Sequence, residues 1–599
     1  TLLEKNGSVG GRMRSEEFGG TGLEGHRFDT GPSLLLFPEK YREAFAALGA
    51  RLEDHVELRR VEPTAMRVHF AEDWSSLDLL YDSEAMRRQL EAVEPGAGQS
   101  YFRWLGEARA SLDLGTEAFI ETDSTSALDF VNPARIGKLA MAVNPIILLA
   151  PQTLQLAMHF KTEKVKALFS YHHLYVGLTP HNAPGVFSLL AATELTDGVW
   201  YPVGGFASVR DALLRIAESH GVEVRLGTEV STITVDETHA PPSEASTLAM
   251  AAQALGAEGQ ALMQRRVRGV RLANGEVLRA DVVVANPDLP YAYETLLAGQ
   301  YEDVERESKG ISEDMEYSCG MIEFCWALKQ PMPELAQHNV FLGNDYVKAW
   351  ERPATANDLR TRHSFNFYVH RPSYTDPSAV PPGEDNIMIE FPIANARERL
   401  EAAGARGLDT EEALVEAARE AVFRQFERMG YCKGAPDGRM ASMIKGERVL
   451  TPGEWERRYN LKHGAVFGLS HGLTQLACFR PPRQTGIPGL DHQRVEGLHF
   501  VGASTRPGNG VPLVLMGVAN TFESILAEQG VARGPPPLRL DPMPLDAAGP
   551  TAPPREKAVA ETPPPEPAQP AVGKASTQEP PSGGAAVAEV VWERASRSG

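Results

Sequence analysis

The chain has 599 residues, a hydrophobic fraction of 42% and a formal net charge of −20 at pH 7. That length exceeds what one hydrophobic core serves, so two intertwined domains with appendages are expected. The negative charge excludes nucleic acid as the main partner, whereas membrane contact stays open because a local apolar face can drive it.

In chain order, Leu2-Leu3-Glu4 reads as a buried parallel strand ending in a carboxylate, the place where a doubly wound α/β fold receives an adenosine ribose. Gly10-Gly11-Arg12 follows, and together they point to flavin adenine dinucleotide rather than a plain turn. The glycine-rich turn that cradles the pyrophosphate is expected upstream of Thr1, so the first strand and glycine loop are read as missing. Phe28-Asp29-Thr30-Gly31-Pro32-Ser33 is an extended segment ending in a Gly-Pro turn. Helical apolar spacing appears near 40–49 and 84–93.

Gly137 to Phe160 is the most apolar stretch, but Pro145 and Pro151 interrupt it. Each run falls well short of the roughly 20 residues that span a bilayer. It reads as a buried helix pair or as a membrane-dipping or tunnel wall. Gly204-Gly205-Phe206 leads into a helix over Ser208–Ser219 with Val209, Leu213, Ile216 and Ala217 on one face and Gly221 as its stop.

Strands follow at 222–226 and 230–235, then a Pro/Ser/Ala/Gln-rich loop insertion over 237–264. Val267–Leu272 and Glu276–Arg279 flank Asn274-Gly275, which reads as a two-residue hairpin turn with both residues at positive φ. Asp281 to Pro287 reads as another buried strand, expected to rejoin the nucleotide-binding part. Cys319, Cys325, Cys432 and Cys478 show no metal-ligand spacing and read as buried or free thiols in a reducing compartment. No cluster suggests a metal.

Leu498 to Leu513 carries the second strong signal. A buried strand ends at Gly502, a loop holds Gly508, Asn509 and Gly510, and an apolar helix starts near Val511 with Pro512 in its first turn. The glycines allow close approach to a flat ligand, and the helix amino terminus offers N–H groups and partial positive charge. From about Gly534 the chain is rich in Pro, Ala, Glu and Ser and is read as disordered.

These pieces carry a family resemblance. LLEKN with GGR, FDTGPS at 28–33, FSYHHLYVGLTPHNAPGVFSLLAATELTDGVWYPVGG at 169–205, GAVFGL with His471, and VGASTRPGNGVP resemble the bacterial and fungal type phytoene desaturases, within the amine oxidase-like flavoproteins, over roughly Thr1 to Glu528. The resemblance implies an α/β fold in which an FAD-binding Rossmann-like domain (1–80, 201–295, 491–533) interleaves with a mixed-sheet and helical substrate or membrane-binding domain (81–200, 296–490), followed by a tail at 534–599.

It implies FAD as cofactor, with Glu4, Gly10, Gly11, Arg12, Val230, Gly502, Gly508, Gly510 and Val511 as the residues that hold it. The implied substrate is a carotenoid hydrocarbon, taken from a membrane to which the protein attaches peripherally, and the implied reaction is stepwise desaturation. His471, Arg506, Glu194 and Asp197 are the polar candidates for proton transfer or charge stabilisation; Glu194 and Asp197 also suit a plain turn cap. Carotenoid cis–trans isomerase and ketolase activities share the family. A non-catalytic prenyl-lipid-binding chaperone shares the fold.

Overall fold

The architecture rests on a mixed sheet whose strands are apolar on both faces, as a sheet covered on two sides requires. Its seven strands lie in the order Ile444–Leu450, Gly320–Leu328, Asp385–Ile393, Phe367–His370, His338–Leu342, Thr64–Phe70 and Ser75–Leu80. Neighbours are antiparallel except His338–Leu342 with Thr64–Phe70, which run parallel. The computed structural model describes residues 1–115, 150–239, 263–404, 407–476, 479–485 and 494–532.

Two cores sandwich this sheet. Phe324, Trp326, Phe367, Ile389 and Phe391 face helix Glu411–Met429 through Leu414, Ala418, Val422 and Phe426. Met321, Cys325, Tyr368 and Met388 face the other way, toward the aromatic cluster of Trp104, Phe160 and Phe169. Each fully buried Phe or Leu contributes about 1.5–3 kcal/mol. Thr410 caps the long helix by accepting from the Ala413 N–H at 3.2 Å, and Gly430 closes it in the left-handed region.

Thr64–Phe70 and Ser75–Leu80, read from sequence with the nucleotide-binding part, are hydrogen-bonded into the seven-stranded sheet instead. Strand type alone could not show this, because the pairing partner lies far along the chain. Outside this sheet, among the described residues, three pairs are parallel: Leu2–Leu3 with Val224–Arg225, Met263–Leu272 with Val495–Glu496, and Val283–Ala285 with Leu498–Phe500.

The 28–33 and 204–206 motifs meet through one side chain. Asp29 is buried and accepts from Ser15 Oγ, from Tyr201 OH at 2.7 Å and from the Phe206 N–H at 3.0 Å, at the start of helix Phe206–Ser219. Gly205, at φ +77°, must be glycine because a Cβ there would run into Ser15 and Asp29. An apparently separate pair of motifs is thus one helix cap.

Strand Val230–His239 pairs with Met263–Leu272 out to His239 opposite Met263. Both ends of the 237–264 interruption are therefore strand, extended by the ladder, and 240–262 lies outside the described residues. In the next hairpin only Gly275 takes positive φ, and its N–H donates to Leu272 O. The turn is a type I turn with a following bulge residue, not a two-residue mirror-image turn. Of the apolar 137–160 stretch, Gln152–Ala157 is a helix with Leu156 buried and Leu154 and Met158 exposed at 59% and 62%. Its part before 150 lies outside the described residues, as do Cys478 and the tail.

Candidate functional site

A cavity of about 1850 Å³ joins the two parts of the fold. Its lining includes Glu4, Gly10, Gly11, Arg12, Val230, Gly502, Gly510 and Val511, together with the aliphatic side chains of Leu34, Val186, Leu189, Met321 and Leu461. Eight of the nine residues assigned to a cofactor thus surround one space, although they come from elements distant in sequence. Gly508 does not line it.

The strand end places Glu4 beside that space, where its carboxylate accepts from the Asn6 N–H at 2.7 Å and from Asn6 Nδ2 at 2.8 Å. Arg12 reaches across to donate to Val466 O. Burial lowers the Arg12 guanidinium, and the nearby Asp288 carboxylate opposes that effect. Asp288 itself is raised by burial, against a hydrogen bond from Ser504 Oγ at 2.5 Å and the charge of Arg12. Its Oδ2 is buried with no partner among the described residues.

Helix Val511–Glu528 begins at the cavity without a side-chain cap, so its first-turn N–H groups are available to a ligand. Gly510, at φ +95°, has open space where a Cβ would project. Gly508 serves differently: a Cβ there would sit 3.2 Å from His471 Nε2. The glycine makes room for the imidazole rather than for a ligand.

His471 is buried on the cavity wall, and its Nε2 accepts from the Asn509 N–H at 3.1 Å. Burial, reinforced by the charge of Arg480, pulls its pKa well below 6.5. The ring is therefore neutral with its proton on Nδ1, an atom that is buried and has no partner among the described residues. His471 offers a donor and is a poor proton acceptor.

The other catalytic candidates stand off the cavity. Arg506 is buried beneath the loop, with its N–H donating to Pro481 O at 3.2 Å. Glu194 is fully buried and accepts from Tyr171 OH at 2.5 Å, His172 Nε2 at 3.0 Å and Tyr175 OH at 3.0 Å. Tyr175 lines the cavity, so Glu194 acts on it from behind. Asp197 ends helix Ser188–Thr196, pairs with Arg109 and keeps about a third of its side chain exposed, at 32%. It is the cap that the turn suggested.

Several cavity residues escaped the sequence reading, among them Asp288 and a pair of glutamates. Glu323 and Glu390 stand directly opposite one another in the antiparallel pair Gly320–Leu328 and Asp385–Ile393. The available signal was a lone acid within each apolar run, Met321-Ile322-Glu323-Phe324 and Met388-Ile389-Glu390-Phe391.

The residues present suit a flavin dinucleotide. The acidic strand end, the open helix terminus, the space over Gly510 and the partnerless Asp288 Oδ2 and His471 Nδ1 are what a polar heterocycle with phosphates would satisfy. Among the described residues no His, Cys, Asp and Glu group could hold a metal.

Comparison with known proteins gives a concordant result. Residues 1–298 match the flavin containing amine oxidoreductase family. A phytoene desaturase of Neurospora crassa is 34% identical over 535 residues, covering 88% of this chain and 80% of that protein. A zeta-carotene-forming phytoene desaturase of Myxococcus xanthus is 30% identical over 548 residues, covering 90% and 92%. In fold, an oxidoreductase of Methanosarcina mazei aligns with a TM-score of 0.51 at 15% identity, over 87% of this chain and 93% of that one.

Proposed function

We propose that this chain, which belongs to the phytoene desaturase family of FAD-dependent oxidoreductases, introduces double bonds into phytoene or a related carotenoid. The observation that carries the reading is one cavity lined both by the cofactor motifs and by many aliphatic side chains. Such a space suits a long hydrocarbon lying beside a polar heterocycle.

FAD, when bound, supplies the two-electron acceptor for hydride taken from a saturated carbon. Glu4 would hold the ribose, and the amino terminus of Val511–Glu528 would favour negative charge. The neutral His471 offers Nδ1–H as a fixed donor. Tyr175, held by Glu194 through its hydroxyl and receiving Asn509 Nδ2 on its carbonyl at 3.2 Å, ties the substrate-side wall to the cofactor loop. Leu and Val side chains exclude water from the rest. In this reading Arg506 and Gly508 are positioning residues, acting through the loop and through His471.

Product analysis in cells that accumulate phytoene tests the reading: more conjugated carotenes are expected, and unchanged phytoene would refute it. Gly510→Val tests the cofactor wall. A branched side chain would fill the open space, so flavin affinity should fall by about tenfold or more, which is about 1.4 kcal/mol, with the fold retained. Peripheral membrane contact is supported by the exposed Leu154 and Met158 and by an insoluble substrate. Liposome-bound protein should be released by detergent and kept by high salt, since salt screens charge attraction and leaves apolar contact intact.

A further inference from the structure

Desaturation removes two hydrogens from neighbouring carbons, and the hydride accepted by FAD accounts for only one of them. The other leaves as a proton, its C–H electron pair remaining behind as the new π bond. A base must stand in the cavity to form an O–H or N–H bond with that proton. His471 is held neutral with Nε2 occupied, and Glu194 is enclosed by three donors. Neither has a free acceptor facing the substrate.

Glu390 has one. Its carboxylate lines the cavity and receives no hydrogen bond among the described residues. Across the sheet it forms a row with Tyr368 on one side and Glu323 on the other. Tyr368 is engaged elsewhere, its hydroxyl 2.9 Å from Ser33 Oγ and 2.6 Å from His338 Nδ1. Glu323 accepts only a weak bond from Cys325 Sγ at 3.4 Å. From helix Pro452–Tyr459, Arg458 is paired with Glu16 and its charge opposes the rise of Glu323, while Tyr459 is a buried phenol; neither donates a hydrogen bond to the two glutamates among the described residues.

We propose that Glu390, backed by Glu323, is the catalytic base that takes the substrate proton, the two carboxyl groups together holding a single negative charge in the resting enzyme. The proposal rests on the desaturase reading. The cross-strand pairing supplies the geometry: facing glutamates in an apolar cavity cannot both ionise, so one stays a carboxylic acid while the other accepts. The electrostatics agree. Burial alone lifts Glu390 to about 7, and burial with the neighbouring Glu390 charge lifts Glu323 well above the carboxylate range. Near neutral pH, Glu390 is thus poised both to take a proton and to release it afterwards.

The test uses the FAD-loaded enzyme, anaerobically mixed with phytoene, and follows bleaching of the flavin. Glu390→Gln should slow flavin reduction by ~100-fold or more, remove the acid limb of its pH profile near pH 7, and leave flavin content and spectrum unchanged. Glu390→Asp, which keeps an acid, should recover part of the rate.

Infrared titration of the resting protein supplies a readout free of turnover. A carboxylic acid band should titrate near neutrality in the wild type and vanish in Glu390→Gln; a second, titrating at higher pH, should vanish in Glu323→Gln. Reduction of Glu390→Gln at the wild-type rate with its acid limb intact overturns the proposal, as does the lack of a carboxyl titrating near neutrality. A wild-type enzyme that dithionite reduces and phytoene does not would instead defeat the desaturase reading itself.

Discussion

Glu194 and Glu390 are both acids set against the cavity region, yet their surroundings are opposite. Glu194 lies behind the wall and is bonded by Tyr171, His172 and Tyr175. Glu390 lies on the wall with no donor among the described residues. A carboxylate surrounded by donors is a structural anchor, because each bond stabilises it where it is and uses up its acceptor sites. One that faces apolar space next to a second carboxyl is unstable as an ion and stable as an acid. The comparison separates scaffold from chemistry more sharply than sequence motifs do, since the motif-borne acid is the anchor.

Removing each acid should break the comparison in different ways. Glu194→Ala leaves three donors buried without an acceptor, and a loss of about 3–5 kcal/mol is expected, measured by denaturant unfolding. A loss below about 1 kcal/mol would show that water replaces the carboxylate and that the anchor role is wrong.

Glu390→Gln should do the reverse, with a pH dependence of defined sign. Glu390 is raised in the folded protein from an ordinary 4.5 to about 7. Its favourable contribution is complete below the unfolded pKa and is lost as pH rises through the folded value. The rise corresponds to on the order of 3 kcal/mol, at about 1.36 kcal/mol per tenfold change in proton concentration. Relative to wild type, Glu390→Gln should therefore melt higher at pH 8 than at pH 5. Equal differences at both pH values would place Glu390 in water.

The smallest effect is expected at Asp197. Its ion pair with Arg109 is partly exposed, and such pairs contribute about 0–1 kcal/mol. Asp197→Asn should leave turnover within about twofold and stability nearly unchanged. A large loss of turnover with normal stability would return Asp197 to the catalytic set.

Much of one cavity's lining was legible because its residues are unusual for local reasons. An acid ending an apolar strand, glycines at positive φ and a proline in the first turn of a helix each violate an average pattern in a way that backbone geometry explains. The same legibility misled at Gly508, where the glycine admits His471 and not the ligand. Glu194, whose motif is as prominent, accepts from the Tyr175 hydroxyl and does not line the cavity.

What the sequence alone determined is the set of elements and the kind of ligand they address: strand, glycine turn and helix terminus are local, and their chemistry travels with them. What only the tertiary structure decided is which residues share a space. Thr64–Phe70 and Ser75–Leu80 joined the seven-stranded sheet, because a strand carries no mark of its partner. Glu323 and Glu390 became a pair through register: a slip by one residue would have turned one of them to the opposite face and into the other core. Facing acids are a property of the ladder between two segments, and no reading of either segment by itself contains it.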